Sequence, residues 1–226
     1  MNYVIATSRP WHEAMAERLW KRCGHPFYLI TKRKELTIDL LSQLEPRYVF
    51  FPHWSCVIPD EIYERTECVI FHMTDLPYGR GGSPLQNLIA RGHTETMLTA
   101  LRCVAEVDGG PIYMKRPLSL HGSAEEIYLR AGKMTEDMIV EIIQNTPEPV
   151  AQGRDAVCFR RRRPEESDIS ESADLDQLFD HIRMLDADGY PRAFLQSGRF
   201  RIEFSRAARK QDGIVADVVI TQVDHE

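Results

Sequence analysis

Short apolar runs alternate with amphipathic segments through the first half of this chain. Tyr3 to Thr7, Phe27 to Thr31, Tyr48 to Phe51 and Cys68 to Phe71 read as strands. Between the first two, Ser8 predicts a helix cap with Pro10 in the first turn. That helix sets Trp11, Met15, Leu19 and Trp20 at helical spacing, and Gly24 follows its end. Thr37 to Leu44 reads as a second, shorter helix. Near-continuous apolar strands separated by amphipathic helices are what a mainly parallel sheet covered on both faces requires.

Further along, Ser83-Pro84 starts a helix that Gly92 ends, and Thr96 to Ala105 and Pro111 to Leu118 read as strands. Ser123-Ala124-Glu125-Glu126 forms a capping box before a long helix carrying Ile127, Ala131, Met134, Met138 and Ile142. Asn145-Thr146-Pro147-Glu148-Pro149 reads as a linker, since two prolines stop the helix. It divides the chain into a domain over 1–147 and a small strand-rich subdomain over 150–226. In the latter, strands at Ala156 to Arg161, Arg199 to Ser205 and Gly213 to Thr221 surround one helix, Leu175 to Leu185. Glu165 to Asp176 reads as an acidic solvated loop. The first domain is α/β, a Rossmann-like open sheet, but no GxGxxG follows its first strand, so dinucleotide binding has no local support.

Composition narrows the class. The formal charge is −6, which argues against general affinity for nucleic acid. Five cysteines (Cys23, Cys56, Cys68, Cys103, Cys158) form no CxxC pair. With no secretory signal and no apolar run long enough to span a membrane, they read as reduced thiols of a cytoplasmic protein. No His/Cys/Asp/Glu cluster has metal-ligand spacing, so no metal is expected.

The chemistry concentrates in Phe71-His72-Met73-Thr74-Asp75-Leu76-Pro77-Tyr78-Gly79-Arg80-Gly81-Gly82-Ser83-Pro84. An imidazole ends a buried strand beside a glycine-rich loop that lets a ligand approach the backbone. Val107-Asp108-Gly109-Gly110 supplies a carboxylate at another strand end. A histidine and an aspartate so placed suit acid–base work of many kinds, and each alone is as often structural.

The segment from His72 to Pro84 resembles the H-x-S-L-L-P-x-x-R-G-x-x-P signature of formyltransferases that use 10-formyltetrahydrofolate. It matches at His72, Leu76, Pro77, Arg80, Gly81 and Pro84. Val107-Asp108-Gly109-Gly110 is similar to that family's L-D-T-G turn, and Thr99 falls where a threonine often precedes it. Trp54-Ser55-Cys56-Val57-Ile58-Pro59 resembles the Y-G-x-I-L-P segment beside the pterin. Phe159-Arg160-Arg161 resembles Y-x-R. Ile182 to Asp186 with Gly189 to Phe194 resembles I-R-A-L-D-x-x-G-Y-P-G-A-F.

The resemblance implies a formyltransferase fold and an enzyme that moves a formyl group from 10-formyltetrahydrofolate, as cosubstrate, to an amine. It implies His72 as acid/base and Asp108 as its orienting and proton-relay partner. Trp54, Cys56, Val57, Ile58, Val104, Ala105, Glu106 and Asp108 would line the folate. Arg9, Thr74, Tyr78, Arg80, Gly81 and Gly82 would meet the acceptor. One departure stands out: the family has asparagine two residues before the histidine, where this chain has Ile70. Losing one oxyanion donor typically lowers rate by about a hundred- to a thousandfold. Thr74, Thr99, a backbone N–H of the glycine loop or His72 itself would have to substitute.

From Ala151 to Glu226 there are 12 Lys+Arg against 15 Asp+Glu, a net of −3, where a tRNA would have to be gripped. The chain also ends early for a tRNA enzyme's full second domain. The expected acceptor is therefore a nucleotide-linked amino-deoxy sugar, as in pseudaminic-acid-type pathways, with a possible homodimer, no nucleic-acid partner and no membrane. Methionyl-tRNA formylation and a non-catalytic folate- or sugar-nucleotide-binding relative are the alternatives. Arg160 to Arg163 reads either as a diphosphate contact or as an edge strand kept apart by charge.

Overall fold

The structure, a computed structural model, describes residues 1–223. Its elements run β1 (Asn2–Thr7), α1 (Met15–Cys23), β2 (Phe27–Ile30), α2 (Ile38–Leu44), β3 (Pro46–His53), α3 (Asp60–Tyr63), β4 (Cys68–His72) and β5 (Tyr78–Gly81). They continue with α4 (Pro84–Ile89), β6 (Glu95–Arg102), β7 (Ile112–Ser119), α5 (Ala124–Asn145) and β8 (Val157–Phe159). The last are α6 (Leu175–Arg183), β9 (Ala193–Ser197), β10 (Phe200–Arg209) and β11 (Ile214–Gln222). Two compact units interleave along the sequence. The first comprises 1–81, 96–118 and 129–158; the second comprises 82–95, 119–128 and residue 159 onward.

The first unit holds a six-stranded sheet in the order β2-β1-β3-β4-β6-β7. β1 pairs in parallel with β2 and β3, β3 with β4, and only then does β6 run antiparallel to β4. Both faces are covered, which is why the strands carry apolar residues at successive positions. Val4, Val49, Phe51 and Cys68 share one apolar cluster with Leu41 of α2 and Ile62 of α3. Ile5 and Phe50 alternate to the other face and are fully buried, as are Met15 and Leu19 of α1. Each such side chain contributes about 1.5–3 kcal/mol through apolar area removed from water. Thr37 caps α2 through Leu40 N, and Gly24 ends α1 at φ 70°.

The second unit carries the antiparallel sheet β11-β10-β9 with α6. Asp186 is its polar hub: its carboxylate pairs with Arg192 and accepts from Arg206 N at 2.7 Å, and its carbonyl accepts from Glu125 N at 3.0 Å. Arg183 Nη1 donates to the carbonyls of Leu120 and Gly122 at 2.6 and 2.9 Å. Tyr190 stacks on Tyr128 with ring centroids 5.3 Å apart. The Ile182-to-Phe194 motif thus builds the interior of this unit. The Ser123 capping box is formed, with Ser123 N donating to Glu126 Oε2 at 2.8 Å and Glu126 N to Ser123 Oγ at 3.3 Å.

Several expectations need correction. Ser8 caps no helix: its N–H and hydroxyl both donate to His53 O, so the chain makes a 3-10 turn at Pro10–His12 and α1 starts only at Met15. Trp20 points outward, 58% exposed. Arg160 to Arg163 lie beyond β8 and form no edge strand. Arg160 pairs with Glu166 and Arg162 donates to Glu166 O, so these two arginines are tied within their own unit. The acidic stretch is not simply solvated either, because Ser167 and Ile169 are buried. No helix among the described residues is long and apolar enough to cross a membrane.

Candidate active site

β4 ends on His72, which pairs in register with Thr99 of β6 and is buried. Its Nε2 lies 2.8 Å from Gly79 O. A carbonyl only accepts, so Nε2 carries the hydrogen of this bond. Nδ1 is the nitrogen left to exchange a proton, and it faces Asp108 Oδ2 at 3.5 Å. The same carboxylate oxygen accepts from Gly81 N at 2.9 Å. β5 makes this possible: Gly79 and Gly81 sit at φ 79° and 101°, which side-chain-bearing residues rarely adopt. Asp108 itself is left-handed, at φ 50°.

Around this pair, Arg80 is buried and its Nη1 meets Glu106 Oε1 at 2.5 Å. Its Nε and Nη2 donate to Gln152 Oε1 at 3.1 and 2.8 Å. Thr99 Oγ1 donates to Thr74 O at 2.7 Å, and Thr74 Oγ1 donates to Gly79 O at 3.3 Å. Both threonine hydroxyls and the Gly81 N–H are therefore committed to neighbours. His72 Nε2–H is likewise committed, to Gly79 O.

Ile70 is half-buried and packs with Trp54 against the cluster of Phe51, Ile58, Cys68 and Cys103. Trp54 stands edge-on to Phe51 with centroids 5.9 Å apart, and its buried Nε1 has no partner among the described residues. Burial, and then the Asp108 charge, pushes the Cys103 thiol up to about 11, which keeps it protonated and a packing group. Cys56 and Val104 are half-buried, whereas Val57, Ala105 and Glu106 are exposed. Tyr78 is half-buried, with its N–H closing the turn onto Asp75 O at 3.1 Å. Gly82 belongs to the second unit: its N–H donates to Phe159 O, and a Cβ there would sit 2.6 Å from Arg161. Among the described residues no group of His, Cys, Asp and Glu could hold a metal ion.

Arg9 sits elsewhere, at the end of β1. Its guanidinium lies over Trp11 and its Nε donates to His53 Nε2 at 3.3 Å. His12, buried beside it, meets Thr7 Oγ1 through Nδ1 at 3.1 Å, and its Nε2 abuts Gly132 of α5. Burial, helped by Arg18 and Arg9, holds His12 down at about 4. Burial, with Arg9 and His12, holds His53 down at about 3. Between pH 4 and the ordinary 6.5 the unfolded chain binds more protons, so stability falls as pH drops through this window. Thermal unfolding followed from pH 7 to 4 should show this. His12→Asn should flatten the dependence by up to about 1.4 kcal/mol per pH unit; an unchanged slope would mean that His12 is not held neutral by the fold.

Apart from Arg9, Tyr78 and Gly82, the structure links the expected catalytic and acceptor residues His72, Thr74, Arg80, Gly81 and Asp108 through hydrogen bonds and the 3.5 Å approach of His72 to Asp108. Trp54 and Ile58 pack in the apolar cluster that also holds Cys103. Gln152 escaped the sequence reading, because a lone glutamine after a proline-rich linker carries no periodic or motif signal.

Residues 164–221 match the family described as methionyl-tRNA formyltransferase, C-terminal domain. A methionyl-tRNA formyltransferase of Microcystis aeruginosa is 30% identical over 136 residues, covering 57% of this chain and 42% of that protein. The chain spans about half the length of the curated relatives it matches. A sugar N-formyltransferase of a Shewanella species shares the fold at 13% identity and a TM-score of 0.68, covering 100% of this chain and 98% of that one. A solved structure named methionyl-tRNA formyltransferase from Clostridium thermocellum is 48% identical with a TM-score of 0.96, covering 98% of this chain and 99% of that one. With that likeness running from end to end, and with the His72 and Asp108 loops brought together, the chain belongs to the formyltransferase family.

Proposed function

We propose that this chain transfers the formyl group of 10-formyltetrahydrofolate to a primary amine, and that the amine is the methionyl amino group of an aminoacylated tRNA. The observation that carries the reaction is the His72 Nδ1–Asp108 Oδ2 approach at 3.5 Å, buried and anchored by Gly81 N. The amine nitrogen attacks the formyl carbon, giving a tetrahedral intermediate with an oxyanion and a protonated amine. His72 Nδ1 takes that proton with Asp108 balancing the resulting charge, and as the oxyanion collapses the bond from the formyl carbon to the folate nitrogen breaks and the proton on His72 passes to that nitrogen. Trp54 fits the folate side, since its buried indole N–H has no partner among the described residues.

The relative that is 48% identical over the whole chain supports the tRNA acceptor ahead of the sugar expected from composition. A nucleotide-linked amino-deoxy sugar is the second reading. It is favoured by the net −3 of residues 151–226 and by the binding of Arg160 and Arg162 to Glu166 instead of to an open basic face.

Offering methionyl-tRNA and a panel of amino-sugar nucleotides in parallel, with 10-formyltetrahydrofolate, separates the two. Formylated methionyl-tRNA is the expected product. Formylation confined to a sugar would replace the first acceptor with the second. Folate binding with no formylated product of either kind would leave a non-catalytic relative.

A further inference from the structure

We infer that Gln152 is a positioning residue that clamps the Asp108 turn to the strand carrying Arg80. The inference rests on the formyl-transfer reading of the His72–Asp108 pair. All of the carboxamide is used. Oε1 accepts from Arg80 Nε and Nη2 at 3.1 and 2.8 Å, while Nε2 donates to Asp108 O at 2.7 Å and Gly110 O at 2.8 Å. The chemistry of the partners fixes the amide's direction. A flipped group would set its N–H bonds against a guanidinium and its oxygen against two carbonyls.

The clamp acts where the site is most sensitive. Asp108 has a left-handed backbone at φ 50°, a conformation that non-glycine residues keep only where the surroundings hold it. Its carbonyl is held by Gln152 and its carboxylate by Gly81 N, so the two bonds fix the residue at both ends. At 3.5 Å, the His72–Asp108 approach is already long for a hydrogen bond. A slip of the turn by a few tenths of an ångström would uncouple the pair. Gln152 itself reaches neither His72 nor a reacting atom; its influence passes through the Asp108 backbone.

Gln152→Glu is the sharpest variant, because a carboxylate keeps Arg80 but cannot donate to either carbonyl. The expected result is a kcat lower by about 10- to 100-fold, with KM for 10-formyltetrahydrofolate within about twofold of wild type. The Gly81 amide proton, bonded to Asp108 Oδ2, should also move upfield by NMR. Gln152→Met, of similar length, serves if the glutamate variant does not fold.

A folded variant with wild-type kcat, or with an unmoved Gly81 resonance, would overturn the clamp. The NMR readout needs no activity. If the wild-type protein transfers no formyl group, the reaction reading fails, while the Gly81 resonance still decides whether Gln152 holds the turn.

Discussion

Replacing Asp108 by asparagine lowers kcat by about 10³-fold while leaving KM for the folate nearly unchanged. Asparagine has the same shape, and its carbonyl oxygen can still accept from Gly81 N, so the turn persists. What disappears is the negative charge facing His72 Nδ1. Without it the imidazolium formed on taking the amine's proton has no counter-charge, in a buried site where charge is expensive. His72→Ala removes the base itself, and the expected loss is about 10²- to 10⁴-fold in kcat, the usual range for a positioned proton-transfer group. The two losses should not add in the double variant, since the groups act as one unit. Steady-state rates of the four proteins provide the check, and additive losses would separate the pair into independent roles.

Gly110→Ala destabilises the fold by about 3 kcal/mol or more, which for a chain of this size lowers the melting temperature by roughly 6–12 °C. A Cβ at Gly110 would lie 1.8 Å from Arg102 O, a backbone atom at the end of β6. Arg102 N in turn donates to Pro111 O at 2.9 Å, so neither side of the turn can yield without breaking the ladder. Gly109→Ala is the built-in comparison. Its Cβ would meet the Glu106 side chain, Cγ at 2.6 Å and Oε2 at 2.4 Å, which is largely exposed and can swing aside by giving up its pairing with Arg80, and the expected change is below about 1 kcal/mol. Thermal melts of both variants test this. Equal midpoints would mean that the Asp108 turn does not hold the tight geometry seen here.

The parts of this fold that announce themselves in sequence are those made by repetition. The strands β1, β3 and β4 are apolar runs because both sheet faces are covered, and Gly24, Thr37 and Ser123 mark helix ends by chemistry particular to those positions. β5 carries no such mark. It is four residues long, half of them glycines, whose positive φ serves the approach of Gly79 O and Gly81 N to His72 and Asp108. Strand propensity is blind to that use.

The site divides in the same way. His72 ends β4 and Asp108 lies in the loop between β6 and β7, not at the strand end expected from sequence, yet both fall within motifs that the resemblance marks, whereas Gln152 is visible only through its four hydrogen bonds. The run Arg160 to Arg163 reads as a diphosphate contact or a charged edge strand until Glu166 is seen to accept from the Arg160 guanidinium and the Arg163 N–H.

The most direct test of the central claim is a side-by-side incubation of the wild-type protein and Asp108→Asn with 10-formyltetrahydrofolate and methionyl-tRNA, read by the mass of the released aminoacyl group. The proposed account predicts the gain of one formyl group with the wild-type protein and almost none with the variant over the same time. Equal formylation by the two proteins would contradict it.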